Sequence, residues 1–170
     1  LILKIKWQLL PPKKREILLY DGDGEDVAPT ILKNYTYEIA HTRKEKFCLF
    51  ILLKLIFKFK VNYSEYIKDY IRYVNPKLII TFNDNYVSFY EQRAYFPNIK
   101  FIAVQRGYRS YHNDILDVFE KGKKKYSIDK YFVFNRAIIS HLKKYVNAEY
   151  IVLGSPRNNL ADINNTIKNK

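Results

Sequence analysis

The feature that most constrains the fold of this chain is an alternation of short apolar runs with segments of helical period. The short runs are typical of strands, and the stretches between them repeat apolar residues at helical spacing. Parallel strands need crossover helices, so this alternation is typical of βαβ units. The sequence therefore predicts a Rossmann-like α/β fold, with an open, mainly parallel sheet of five or six strands and helices on both faces.

Six strands and four helices are predicted. The strands cover residues 16–20, 35–40, 78–82, 100–104, 131–134 and 150–153. The helices cover residues 44–60, 63–74, 87–95 and 137–146. Segment 108–127 has no firm period and is expected to be an exposed excursion. Helix 63–74 is expected to end at Asn75, because the residue before a proline disfavours the helical region.

The composition points to an intracellular domain with a packed core. Apolar residues make up 48% of the 170 residues, which is enough to bury a core without disulfides or metal. The lone cysteine, Cys48, lies among apolar neighbours and is predicted to be a buried thiol. The most apolar stretch, 47–59, is interrupted by Lys54 and Lys58 and is shorter than the ~20 residues of a spanning helix. A cytoplasmic location is expected.

The net charge of +13 raises the possibility of nucleic-acid binding. The basic residues are scattered along the chain, however, except for the runs Lys13-Lys14-Arg15 and Lys123-Lys124-Lys125. Abundant lysine, asparagine, isoleucine and tyrosine also fit an AT-rich coding sequence. Nucleic-acid binding is therefore the most distant of the functions that remain open.

Each predicted strand is followed at once by polar residues. Because the carboxyl ends of parallel strands share one edge of a sheet, clusters distant in sequence should converge there. We therefore predict a small-molecule site at this edge. Its candidate residues are Asp21, Asp23, His41, Arg43, Glu45, Asn83, Asp84, Asn85, Gln105, Gly107, Arg109, Asn135, Ser155, Asn158 and Asn159.

Two of these residues are candidates for proton transfer. Asp84 ends a buried strand, where partial burial can raise a carboxylate pKa towards neutrality and suit a general base. An Asx-type cap for the helix from Val87 is the alternative. His41 and Glu45 lie four residues apart around Arg43. A helix starting there would present them to a ligand beside free backbone N–H groups, or would simply be a solvated helix start.

The loops themselves exclude two common cofactor sites. Segment 21–26 lacks the later glycine and the terminal glutamate of a calcium loop, so a turn with a helix N-cap is expected. It also lacks the third glycine of a dinucleotide fingerprint. Near Gln105, Gly107 allows close backbone approach to a ligand, and Arg109 can fork onto a phosphate or carboxylate.

Five motifs resemble, in order and spacing, the N-terminal half of bacterial surface carbohydrate biosynthesis proteins. Those proteins resemble two-lobed GT-B glycosyltransferases and the glycerophosphotransferases of wall polymers. The likeness spans residues 14–159. That family usually has Gln-Asn-Gly at residues 105–107, so the resemblance gives no role to the Arg106 side chain. The motifs are Lys14-Arg15-Glu16-Ile17-Leu18-Leu19-Tyr20-Asp21-Gly22, His41-Thr42-Arg43-Lys44-Glu45, Thr81-Phe82-Asn83-Asp84-Asn85 with Phe89-Tyr90-Glu91, Gln105-Arg106-Gly107-Tyr108-Arg109 and Gly154-Ser155-Pro156-Arg157-Asn158-Asn159.

The resemblance implies the acceptor-side lobe of a glycosyltransferase that builds capsule or lipopolysaccharide. In such a lobe Asp84 or His41 would take the proton from the attacking hydroxyl of a sugar or lipid-linked glycan acceptor. GT-B enzymes bind the nucleotide-sugar donor mainly in a second lobe, so no cofactor or metal is expected here. Residues 1–13 would be an extension, 14–159 the lobe, and 160–170 a tail truncated before the second lobe.

Two further expectations remain open from the sequence. A non-catalytic binding or scaffolding domain would recognise a phosphorylated or nucleotide ligand through Arg43, Arg109 and Arg157. Helix 44–60 mixes phenylalanines with lysines, which suits peripheral contact with the anionic inner membrane. Alternatively, its phenylalanines belong to the core and its lysines are only solvated.

Overall fold

The computed structural model describes residues 6–59, 61–108 and 115–160. Within these ranges a six-stranded parallel sheet forms the centre, and a separate parallel pair lies apart from it. The strands are β1 Lys6–Gln8, β2 Ile17–Tyr20, β3 Tyr37–Ala40, β4 Lys46–Cys48, β5 Leu78–Thr81, β6 Lys100–Val104, β7 Tyr126–Val133 and β8 Val146–Val152. The helices are α1 Ala28–Ile31, α2 Leu49–Phe57, α3 Tyr63–Val74, α4 Val87–Gln92, α5 Ile115–Gly122, α6 Ala137–Leu142 and α7 Pro156–Leu160.

The central sheet has the order β3-β2-β5-β6-β7-β8, with parallel pairing throughout. The chain runs from β2 outward to β3 and then crosses back to β5 on the other side of β2. The strand order therefore reverses between β2 and β5, which is where open α/β sheets bind ligands. The predicted fold class is confirmed.

Strand β2 shows how the sheet is covered on both faces. Leu18 and Tyr20 point into the larger core, which the helices α2 to α6 cover. Ile17 and Leu19 alternate to the opposite face and pack with Val27, beside α1. A strand that is buried on both faces must be apolar at every position, which explains its uninterrupted apolar run.

The helix predicted for residues 44–60 is wrong in its first part. Residues Lys46–Cys48 form β4, which pairs with β1, and the helix begins only at Leu49. Lys44 has a φ of 65°, a left-handed conformation that a helix cannot continue through. The strand depends on a partner some forty residues earlier in the chain, so the local apolar period could not reveal it.

The excursion predicted for residues 108–127 is also wrong in part, because α5 and the first residues of β7 lie within it. Ile115, Leu116 and Phe119 are buried at helical spacing. This apolar period is short, and the lysine run that follows it favoured the prediction of an exposed segment. The helices α4 and α6 are shorter than predicted, whereas β7 and β8 are longer, since their pairing extends back to Tyr126 and Val146.

Gly24 is the glycine whose replacement we expect to cost most in stability. A Cβ built there lies under 3 Å from three atoms of the buried Phe82 side chain. Gly24→Ala should therefore lower the free energy of unfolding by about 1–3 kcal/mol through overpacking. Gly107→Ala is the matched control, because a Cβ there meets nothing within 4 Å. Chemical denaturation measures both, and equal stability of the two variants would contradict the close packing.

Candidate functional site

The polar clusters that follow the strands meet at the carboxyl edge of the sheet. After β5, Asn83 Nδ2 donates to Asp21 Oδ2 at 3.1 Å, across the reversal point. The Arg106 guanidinium, after β6, pairs with Asp23. From the start of α7, Arg157 Nη2 reaches the Asp23 carbonyl at 3.4 Å. Four loops that are far apart in sequence therefore form one connected surface, as their positions after the strands predicted.

A pocket of about 660 Å³ opens at the ends of β2 and β3. The β1–β4 pair supplies its other wall through Lys6 and Lys46. The lining contains four carboxylates and three cationic side chains besides one histidine, so its charges nearly balance. The lining residues are Lys6, Asp21, Gly22, Asp23, Glu25, Ile39, His41, Arg43, Glu45 and Lys46.

Asp21 is held in a backbone conformation that is otherwise almost restricted to glycine. Its φ is 81° and its ψ is 144°, and the residue is 2% exposed. Its N–H donates to the Ala40 carbonyl at 2.9 Å, and its carboxylate accepts from Arg43 Nε at 2.9 Å. Such strain persists only where the surroundings enforce it, and it concentrates at functional sites. The carboxylate of Asp21 is therefore a fixed element of the pocket wall.

Asp23 sits between two guanidinium groups, those of Arg43 and Arg106. Both arginines are partly exposed, with 43% and 35% of their side chains accessible. Arg157 is also ion-paired, since its Nε lies 2.6 Å from Asp26 Oδ2. The carboxylates thus fix these cations in place.

His41 and Glu45 form the part of the pocket best suited to proton transfer. His41 Nδ1 lies 3.8 Å from Glu45 Oε1, and the other oxygen of this carboxylate is buried without a partner. Burial lowers the pKa of His41, and the nearby Lys46 ammonium lowers it further, against the opposing influence of Glu45. The imidazole is consequently uncharged at neutral pH and can accept a proton.

Asp84 lies beneath the surface, with none of its area exposed. Its Oδ1 accepts from the Arg106 backbone N–H at 2.9 Å, and its Oδ2 accepts from the Tyr131 hydroxyl at 2.5 Å. Its carbonyl accepts from the Tyr90 hydroxyl at 2.8 Å. Asp84 therefore ties together the ends of β5, β6 and β7. Its role as a general base stays a prediction.

Gln105 is a second buried side chain that links backbone segments at the same edge of the sheet. Its Nε2 donates to the Gly107 carbonyl and its Oε1 accepts from the Phe134 N–H, each at 2.8 Å. Gly107 is half-buried and has open space beside its Cα. Gln105 thus fixes the path of the backbone around Gly107, and ligand contact by either residue stays a prediction.

The remaining candidates lie nearer the solvent. Asn85, Asn135 and Asn158 are exposed, whereas Ser155 is half-buried. Asn135 Oδ1 accepts from the Ile138 N–H, and Ser155 Oγ accepts from the Asn158 N–H, both at 3.4 Å, so these side chains bind backbone N–H groups in the first turns of α6 and α7. Arg109 and the side chain of Asn159 lie outside the described residues.

Three expectations for these loops are wrong in whole or in part. Residues 41–45 do not open a helix, because β4 follows them, so no helical N–H groups accompany His41. Segment 21–26 does form the predicted turn, as the 3₁₀ turn Gly22–Gly24, but Asp21 does not cap it through its side chain. The Asx-type cap considered for α4 is also absent at its N-cap residue, Tyr86, whose side chain makes no capping hydrogen bond.

Sequence reasoning missed several residues that complete the site. Arg106 was discounted, yet its side chain holds Asp23 and its N–H holds Asp84. Lys6 and Lys46 reach the pocket through the pairing of β1 with β4, which no local pattern showed. Over residues 6–59, 61–108 and 115–160, no three His, Cys, Asp or Glu side chains are grouped closely enough to hold a metal ion.

The fold and the site define a doubly wound α/β domain with a polar pocket at the carboxyl edge of its sheet. Residues 102–170, about two fifths of the chain, match a family model described as "putative O-antigen biosynthesis protein". Searches of curated proteins and of solved structures gave no significant match. The family match supports surface carbohydrate biosynthesis, and it includes Gln105 and Ser155 but not His41 or Asp84.

Proposed function

We propose that this domain is the acceptor-binding lobe of a glycosyltransferase in surface polysaccharide biosynthesis. The observation that carries the proposal is the uncharged, half-buried His41 beside Glu45 in the carboxyl-edge pocket. The family match over residues 102–170 supports the pathway, and the motif resemblance over residues 14–159 supports the reaction class. The nucleotide-sugar donor would bind in a second lobe.

The lining of the pocket suits a sugar better than a highly charged ligand. Carboxylate oxygens accept hydrogen bonds from sugar hydroxyls, and the pocket wall carries Asp21, Asp23, Glu25 and Glu45. Lys6 and Lys46, which also line the pocket, can donate to ring or hydroxyl oxygens. The near balance of charge means that a neutral or singly charged acceptor enters without uncompensated repulsion.

His41 is the residue we propose as the general base. A neutral imidazole takes the proton from an acceptor hydroxyl as that oxygen bonds to the anomeric carbon of the donor sugar. The bond from this carbon to the nucleoside diphosphate breaks at the same time, and the diphosphate leaves with the electron pair. The Glu45 carboxylate then stabilises the imidazolium, and the 3.8 Å separation from Nδ1 would shorten when the acceptor binds. In this proposal Asp84 is a positioning residue, because its carboxylate accepts from the Arg106 N–H and holds that loop in place.

A non-catalytic domain that binds a phosphorylated ligand is the alternative. It would need cationic side chains open to an anion, whereas Arg43 and Arg157 are already paired with Asp21, Asp23 and Asp26. An anion would have to displace these carboxylates, so the contacts favour the acceptor-binding proposal.

Deletion of the gene, followed by complementation, tests the proposed function in cells. We expect loss of the long-chain surface polysaccharide on gels of extracted glycan, because acceptor glycosylation is blocked. Wild type should restore it and His41→Gln should not. His141→Gln is the matched control, since it makes the same change on α6, outside the pocket lining, and should restore it fully. Full restoration by His41→Gln would contradict a general base at this position.

A further inference from the structure

Helix α2 exposes several large apolar side chains on its outer face. Of its apolar residues, Ile51 and Leu55 are buried, whereas Leu53 and Ile56 are exposed. At its end Phe57 is 82% exposed and Phe59 is 96% exposed. Soluble proteins rarely leave contiguous large apolar side chains open to water without a partner. The sequence alternative that places these phenylalanines in the core is wrong for both.

Phe59 also occupies an unfavourable backbone conformation. Its φ is 53°, in the left-handed region that follows a helix and strongly favours glycine. The side chain gains almost no burial in return. A glycine would satisfy the fold better at this position, so Phe59 is unfavourable for the isolated domain and requires another explanation.

Basic side chains lie within the same patch. The ring of Tyr73 packs against Phe50 with centroids 5.1 Å apart. The ammonium groups of Lys14 and Lys54 lie over this ring at 5.9 and 5.6 Å. Helix α2 itself contains no acidic residue. Apolar and cationic groups are thus interleaved on one surface, which we call the α2 patch: Lys14, Phe50, Leu53, Lys54, Ile56, Phe57 and Phe59.

The patch extends towards the N-terminal strand. Leu9 and Leu10 are 72% and 77% exposed, and the Leu10 carbonyl accepts a hydrogen bond from Cys48 Sγ at 3.5 Å, beside the start of α2. Asp69, which contacts Lys58 just after the end of α2, is buried and is also paired with Arg72. The formal charge that the patch shows to a partner is therefore positive.

We propose that the α2 patch docks the domain on an anionic lipid bilayer. Exposed phenylalanines insert at the boundary between headgroups and acyl chains, while lysines contact anionic headgroups. The contact that we propose is peripheral. Within the described residues no helix is long and apolar enough to cross a membrane. Because β4 leads directly into α2, docking also fixes the orientation of the pocket relative to the bilayer. The proposal does not depend on the chemistry of that pocket.

Vesicle flotation of the intact protein tests the proposal. Wild type should float with phosphatidylglycerol-containing vesicles, float poorly with pure phosphatidylcholine, and lose binding as salt rises. Lys14→Glu with Lys54→Glu should weaken binding about 30-fold or more, since each surface lysine contributes about 1 kcal/mol at an anionic membrane. These two lysines are preferred to Lys58, whose reversal would break the ion pair with Asp69.

A second variant separates docking from folding. Phe57→Ser with Phe59→Gly should weaken vesicle binding about 100-fold. Its melting temperature should hold or rise, because glycine suits the left-handed position. Val118→Ser with Val152→Ser, on α5 and the edge strand β8, is the matched control and should float like wild type. Three outcomes would overturn the proposal: no flotation, equal binding by all variants, or a self-association that only the phenylalanine variant loses.

Discussion

Asp84→Ala should lower the free energy of unfolding by about 3–5 kcal/mol, the largest stability loss we expect from any single substitution here. The change removes the carboxylate to which the Arg106 N–H and the Tyr131 hydroxyl donate, at a residue that is fully buried. Each unsatisfied buried group costs about 1–3 kcal/mol, and the cavity adds to that. For a chain of this size the melting temperature should fall by about 10 °C.

The free energy of unfolding of Asp84→Asn should lie between those of wild type and Asp84→Ala, because the one remaining side-chain oxygen can accept from one of the two donors. Asp26→Asn is the matched control, since it makes the same change in an exposed pair with Arg157 and should cost under ~1 kcal/mol. Calorimetry and turnover should be measured on the same Asp84→Asn preparation. An unchanged melting temperature with a turnover loss of about 10²-fold or more would identify Asp84 as the general base instead.

Under the proposed function, His41→Gln should lower kcat/KM for glycosyl transfer by about 10²–10⁴-fold, which is the usual contribution of a general base. Stability should change little, because one fifth of the His41 side chain is exposed and its Nδ1 lies 3.8 Å from Glu45 Oε1, beyond hydrogen-bond distance. His141→Gln should retain wild-type kcat/KM. A loss of only a few-fold in His41→Gln would contradict proton transfer by this residue.

The pH dependence of kcat/KM tests the role of His41 independently. Burial and Lys46 lower the pKa of His41, so the proton-accepting form persists as pH falls past 6.5, and kcat/KM should decline only below that value. His41→Gln should lack this acid limb. Lys46→Gln removes a charge that lowers the pKa, so its acid limb should move to higher pH. An acid limb that neither substitution changes would belong to another group.

The sequence by itself determined the class of fold and the edge at which polar residues gather. The apolar run Leu78–Thr81 is buried on both faces of a parallel sheet, and Asn83 and Asp84 follow it as expected. Strands that alternate with helices run parallel, so their carboxyl ends all lie at the same edge of the sheet. The residues that follow each strand can therefore be assigned to that edge from sequence. The position of the candidate site therefore followed from local pattern alone.

Only the tertiary structure decided which of those polar residues reach the solvent. Asp84 is buried because Arg106 and Tyr131, 22 and 47 residues further along, supply its donors, whereas His41 stays accessible beside the β1–β4 pair. The same applies to α2, where Ile51 and Leu55 belong to the core whereas Leu53, Ile56 and Phe57 are exposed. A local period records which side chains favour burial. It does not record which distant element covers them, and that is a property of the assembled fold.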